Sequence, residues 1–287
     1  MSINNRYQDV LKIYKTDISE ETVKDMLAKI AEKEKENHTR EVYKKIYSCV
    51  DLTSLNTTDT KESIYNLVNT VNEKDGTSDL PNVAAICVYP NFVENVREVL
   101  TADVKVAAVA GGFPSAQTFI EVKVAECALA VASGADEIDV VLNLGKYYDG
   151  SLEEVYEEID EMKGACQDKT LKVILETGAQ KTLEDVVKTS LLALYSGADI
   201  IKTSTGKVYK GATPEAVYAM CYAIKEYQKK TGNKAGIKVS GGVSTTADAV
   251  KYYTIVKEVL GEDYLNNESF RIGASSLVSD LEKSLNE

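Results

Sequence analysis

From Tyr47 onward the chain alternates short, β-branched runs with longer amphipathic stretches. The runs are Tyr47–Asp51, Val83–Tyr89, Val104–Ala110, Glu137–Asn143, Leu171–Thr177, Asp199–Ser204, Gly236–Gly241 and Phe270–Ser275. Short apolar runs of this kind read as buried strands, and the gaps between them have room for helices. Several gaps carry helix start signals. Thr182 with Asp185 and Thr245 with Asp248 fit a capping box, and Thr213-Pro214-Glu215 sets a cap before proline at the first helical position. Ser133-Gly134-Ala135-Asp136 recurs as Ser196-Gly197-Ala198-Asp199, each time closing a helix and entering a strand, with glycine as the helix stop. Eight strand–helix units at about 30 residues each predict a (β/α)8 TIM barrel. A doubly wound open sheet shares the element order, but no GxGxxG follows a strand. Residues 1 to about 45 are polar, charge-rich and free of Gly and Pro. They predict an N-terminal helical extension of one or two surface helices, with 46–287 forming the barrel.

A barrel strand turns alternate side chains toward the helices and toward the interior. The helix-facing set is apolar: Ile138, Val140 and Leu142; Leu171, Val173 and Leu175; Ile237 and Val239. The other parity predicts an interior containing Cys49 and Asp51, then Asp139, Val141 and Asn143, then Lys172, Ile174 and Glu176. Lys202, Lys238 and Ser240, and Arg271, Gly273 and Ser275, complete it. Packed barrel interiors are filled with Val, Ile and Leu, and charges are buried only when paired. Lys172, Lys202 and Lys238 on three adjacent strands, with Asp51, Asp139 and Glu176, are costly as a stabilising device alone.

Such a cluster has a chemical use. At an ordinary pKa of about 10.4, only about 0.04% of a lysine is unprotonated at pH 7; a fall to about 7 raises that about a thousandfold. Desolvation and a second ammonium both push in that direction. One lysine then attacks a carbonyl, its neighbour keeps it neutral, and a carboxylate moves protons. The protonated imine is an electron sink for making or breaking an adjacent C–C bond, so the residues point to a Schiff-base lyase. The loops after the last three candidate strands are rich in glycine and hydroxyls: Thr203-Ser204-Thr205-Gly206-Lys207, Ser240-Gly241-Gly242-Val243 and Gly273-Ala274-Ser275-Ser276. In this position they suit a phosphate grip.

Composition narrows the alternatives. The 287 residues carry 33 basic and 45 acidic side chains, a net charge of −12, which disfavours nucleic-acid binding. No apolar run approaches the roughly 20 residues of a membrane span, and no secretory signal opens the chain. Five scattered cysteines and the single His38 form no metal-binding grouping, so reduced thiols in a cytoplasmic protein are expected.

With these blocks in place the sequence resembles the deoxyribose-phosphate aldolases, class I aldolases built on a (β/α)8 barrel. The resemblance runs from about Tyr47 to Leu281 through Asp51-Leu52-Thr53, Ala84–Pro90, Gly134–Asp139, Leu171–Thr177, Ile201–Lys207, Lys238–Gly242 and Phe270–Ser276, with IKTSTGK the most telling block. It implies reversible cleavage of 2-deoxy-D-ribose 5-phosphate to D-glyceraldehyde 3-phosphate and acetaldehyde, in deoxyribonucleotide catabolism. It implies Lys202 as the Schiff-base lysine, Lys238 as its pKa-lowering neighbour and Asp139 as the proton carrier, with Lys172 and Asp51 in the surrounding network. Gly206, Lys207, Gly241, Gly242, Ser275 and Ser276 fall at the phosphate grip, with Thr205 and Gly273 in the same loops. No metal or organic cofactor is implied; the partners are a small sugar phosphate and an aldehyde, not nucleic acid or membrane, with a possible homodimer.

Three departures stand out. Some members end in a tail whose terminal tyrosine assists proton transfer, whereas this sequence ends Ser284-Leu285-Asn286-Glu287, so that role is expected to be vacant. Many members read Lys-Pro-Ala-Gly-Gly where this one reads Lys238-Val239-Ser240-Gly241-Gly242. The first 45 residues lie outside the matching blocks. Cys87 aligns with a cysteine that an aldehyde intermediate traps in some members, though core packing is its expected role. Two other readings share the same residues: another imine-forming barrel, transaldolase-like or acting on ketose bisphosphates, and a catalytically silent barrel that only binds a sugar phosphate.

Overall fold

The structure is a computed structural model that describes residues 6–77 and 79–286. Its centre is a closed barrel of eight parallel strands in sequential order. They are β1 (Val50–Thr53), β2 (Ala85–Val88), β3 (Lys105–Val109), β4 (Glu137–Val141), β5 (Thr170–Ile174), β6 (Ile200–Lys202), β7 (Gly236–Ser240) and β8 (Phe270–Ala274). β8 pairs with β1, Asp51 standing opposite Gly273, so no edge is left open and the open-sheet alternative is excluded.

Helices return the chain on the outside: α4 (Lys61–Asn72), α5 (Val93–Val99), α6 (Ile120–Ala132), α7 (Leu144–Tyr148), α8 (Leu152–Cys166), α9 (Leu183–Tyr195), α10 (Pro214–Thr231), α11 (Thr246–Leu260) and α12 (Leu277–Asn286). α10 shows why they form. Thr213 accepts the Ala216 N–H, Pro214 occupies the first turn, and Gly232 at φ 77° ends the helix. Between these limits Val217, Met220, Cys221 and Ile224 recur at helical spacing and are fully buried, each contributing on the order of 1.5–3 kcal/mol. Thr182 and Thr245 cap α9 and α11 as the spacing predicts. The repeated Ser-Gly-Ala-Asp segment performs one task twice. Gly134 (φ 103°) and Gly197 (φ 97°) turn the chain, and the following aspartates accept strand N–H groups, Asp136 from Val106 and Asp199 from Leu171.

Ahead of the barrel lie α1 (Arg6–Lys12), α2 (Glu20–Glu32) and α3 (Arg40–Tyr47). α1 packs on α8 and α9, α2 on α10 and α11, and α3 on α11 and α12, so this N-terminal band lies over the outer helices. Tyr7 stacks on Tyr156, and the Tyr14 and Tyr195 hydroxyls meet at 2.7 Å. α3 crosses the expected boundary at residue 45. The expected first strand, Tyr47–Asp51, is displaced: Tyr47 ends α3 and the strand starts at Val50. Tyr47 faces Glu282 of α12 through its hydroxyl; its apolar ring reads the same in a helix as in a strand.

Candidate active site

The alternation of β-strand side chains brings the interior charges together in two layers. Across the lower layer Arg271 forks onto Glu137, with nitrogen–oxygen distances of 2.7 and 3.0 Å, and reaches Asp51 at 2.6 Å. Lys172 rises between the layers, 2.6 Å from Glu137, 2.9 Å from Asp139 and 3.4 Å from Asp51. In the upper layer Lys202 and Lys238 both lie 2.8 Å from the same Asp139 oxygen, Oδ2. Lys238 also stands 2.5 Å from Asp51. Backbone pairing explains the proximity, since Lys202 is opposite Lys238 and Asp139 opposite Lys172. The remaining interior is small and apolar: Ala85, Cys87, Ala107 and Val109 on one side, Val141 and Ile174 on the other.

Four buried cations thus meet three carboxylates in a space almost closed to water, while the partly exposed Lys105, itself paired with Glu268, stands at the edge 3.4 Å from Glu137. Protonating all four leaves one positive charge unmatched, and loss of a single proton restores balance. Lys202 is the amine placed to lose it: it touches one carboxylate, whereas Lys238 touches two and Lys172 three. Burial lowers the Lys202 pKa most; Asp139 opposes that shift and the Lys238 ammonium reinforces it, leaving Lys202 below the ordinary lysine value. Burial acts the same way on Lys238 and Lys172, but their carboxylates overcome it and hold both above the ordinary value. Burial would raise the Asp139 carboxyl; Lys172, Lys202 and Lys238 reverse this and keep it well below the usual range. Burial pushes the Cys87 thiol up, so it sits in the interior as a thiol, not a thiolate.

At the C-terminal ends of the strands a cavity of about 280 Å³ opens above Lys202. Its wall is made by Thr205, Gly206 and Lys207 after β6, by Gly241 and Gly242 after β7, and by Gly273, Ser275 and Ser276 at the end of β8. Ser275 and Ser276 are exposed and lead directly into the N-terminus of α12. Gly241 is required where it stands: φ is +88°, and a Cβ there would lie 2.7 Å from the Gly211 Cα, because the loops after β6 and β7 touch backbone to backbone. Lys207 reaches over the mouth to the Leu55 carbonyl, above the Tyr89 ring. Thr205 gives both its N–H and its O–H to Glu176.

All eight expected loop residues line this one cavity, and the five residues expected to carry the chemistry, Lys202, Lys238, Asp139, Lys172 and Asp51, join the one ion network. Four inward assignments end differently, Glu176 among them, since it lies beyond β5 and turns its carboxylate to Thr205 in the loop after β6. Cys49 precedes β1 and packs in the main core with Val50 and Leu52. Asn143 lies beyond β4 and caps α7 by accepting the Lys146 N–H. Ser275 lies beyond β8 at the rim. The lower layer was the part missed. Glu137 shares the parity of Asp139 and Val141 but stands at the start of its run, and Arg271, although placed inward, carried no role. Extending the alternation by one residue finds Glu137.

Comparison with known proteins agrees with this geometry. Residues 45–276 match the model of the DeoC/LacD family aldolases. The chain is 37% identical over 272 residues to a Caenorhabditis elegans protein provisionally named a deoxyribose-phosphate aldolase, covering 94% of this chain and 90% of that one. It is 39% identical over 256 residues to the deoxyribose-phosphate aldolase of Bos taurus, covering 84% and 80%. Among solved structures, the tetrameric deoxyribose phosphate aldolase of Aeropyrum pernix superposes with a TM-score of 0.68 at 26% identity, covering 88% of this chain and 96% of that one. Barrel, interior lysines and sequence relationship together place the chain in the DeoC/LacD aldolase family, as a carbon–carbon lyase of the class I type.

Proposed function

We propose that the protein is a deoxyribose-phosphate aldolase that cleaves 2-deoxy-D-ribose 5-phosphate reversibly to D-glyceraldehyde 3-phosphate and acetaldehyde through an imine on Lys202. The observation that carries this is the charge imbalance of the cluster: its least-compensated amine is the one facing the cavity. Neutral Lys202 adds to the C1 aldehyde of the open-chain sugar, and the carbinolamine loses water to give a protonated imine. Asp139, held as a carboxylate, accepts protons, and the Lys238 ammonium supplies them to the departing oxygen. The C2–C3 bond then breaks. Its electron pair flows into the imine to form an enamine, while the C3 hydroxyl loses its proton and becomes the aldehyde of glyceraldehyde 3-phosphate. Protonation at C2 and hydrolysis release acetaldehyde and restore the amine.

The phosphate belongs in the loops of Gly206, Lys207, Gly241, Gly242, Ser275 and Ser276, where backbone N–H groups and the start of α12 favour an anion. A homodimer, implied by the resemblance, and a cytoplasmic setting, expected from the scattered cysteines, belong to the same proposal; among the described residues no helix is long and apolar enough to cross a membrane. Borohydride reduction in the presence of acetaldehyde, read by peptide mass, tests the reading. An adduct on Lys202 that vanishes in Lys202→Leu is expected, and an unmodified protein refutes imine chemistry. Dihydroxyacetone phosphate working as donor in place of acetaldehyde refutes the deoxyribose assignment.

A further inference from the structure

Glu176 is the one charged residue of the expected interior set that the ion network does not take up. It follows β5, is buried, and adopts φ 49°, ψ 57°, a left-handed conformation that residues with a Cβ adopt rarely. Among the described residues it makes no ion pair. Its carboxylate points into the loop after β6, where Oε1 accepts the Thr205 N–H at 3.2 Å and Oε2 accepts the Thr205 O–H at 2.5 Å. The Thr205 oxygen in turn accepts the Lys207 N–H at 3.2 Å. One carboxylate therefore fixes the direction of a hydroxyl, and that hydroxyl fixes the backbone of Lys207, two residues on. The backbones of the two loops interlock beside this contact, since a Cβ on Gly178 would lie 2.1 Å from the Lys210 carbonyl oxygen.

We propose that Glu176 is a positioning residue for the phosphate grip, holding Gly206 and Lys207 in the shape that receives the anion while making no contact with it. The inference rests on the phosphate reading given above. Thr205, having given both donors to Glu176, acts in the same relay and not as a donor to the ligand. A strained backbone at Glu176 is the structural cost of aiming a carboxylate at that loop.

Glu176→Gly separates the two roles because it deletes the carboxylate and relieves the left-handed backbone together. Expected is a rise of about tenfold or more in KM for 2-deoxyribose 5-phosphate, the scale of a lost hydrogen bond to a charged group, with the thermal midpoint held. The preference in kcat/KM for the phosphorylated over the unphosphorylated sugar falls by a similar factor, and acetaldehyde is still captured on Lys202 by borohydride. Thr205→Val reproduces the loss, Thr205→Ser restores it, and the Glu176→Gly/Thr205→Val pair is no worse than either alone. Parallel losses on both sugars, or a wild-type KM in Thr205→Val, overturn the proposal. A wild-type enzyme that captures acetaldehyde but shows no preference for the phosphorylated sugar overturns the phosphate reading instead.

Discussion

Replacing Lys238 by leucine isolates the electrostatic argument. Lys202 and Lys238 share one oxygen of Asp139 at 2.8 Å each. Two ammonium nitrogens so placed stand at most about 5.6 Å apart, and at an effective dielectric constant of about 20 they repel by at least about 3 kcal/mol, or about two pKa units. Removing Lys238 also frees Asp139 to hold Lys202 more strongly, which acts in the same direction. The fold should tolerate the change, because Asp51 keeps Arg271 at 2.6 Å and Lys172 at 3.4 Å. The sign is unambiguous: a higher Lys202 pKa means a smaller neutral fraction at a given pH. The acid limb of kcat/KM, and of the borohydride capture rate with acetaldehyde, should therefore move upward by one to two units, as an order-of-magnitude expectation. A limb that stays within about half a unit of wild type, in protein shown to be folded, refutes the paired-lysine reasoning.

Other consequences follow from the same geometry. Lys202→Leu removes the unmatched cation and leaves three cations facing three carboxylates, so its thermal midpoint should be no lower than wild type; a fall of more than about 5 °C contradicts the charge count. Asp51 and Asp139 are held below the ordinary value of 3.8, so the stability they add is complete above that value and is lost as pH falls beneath it. Thermal melts should be flat near neutrality and decline below about pH 4, and Asp139→Asn, about 3–5 kcal/mol less stable at pH 7, should decline less steeply. Gly241→Ala forces a Cβ toward Gly211 at positive φ; KM for the phosphorylated sugar should rise about tenfold with a stability loss of about 1–3 kcal/mol, and a variant with wild-type values would mean that the two loops do not touch.

Strand count, helix starts, the glycine junctions and the inward parity were all legible along the chain, because each is set by neighbours a few residues apart. Period-two alternation assigns Lys172, Asp139 and Lys238 to the interior without any knowledge of distant contacts, since the opposite face must meet apolar helices. The same locality explains the errors. Whether Tyr47 ends a helix or opens a strand depends on its contact with Glu282, 235 residues away. Glu137 becomes important because Lys172 reaches it from the next strand and Arg271, from the last strand, crosses the barrel to meet it. Which lysine is left least compensated is likewise a property of closure: three lysines of identical local character differ in how many carboxylates they touch, and that number exists only once β8 has joined β1. Short-range sterics and hydrophobic patterning thus settle which side chains enter the barrel. Their charge states are settled by long-range Coulomb interactions in a dry interior, and these require the finished tertiary structure.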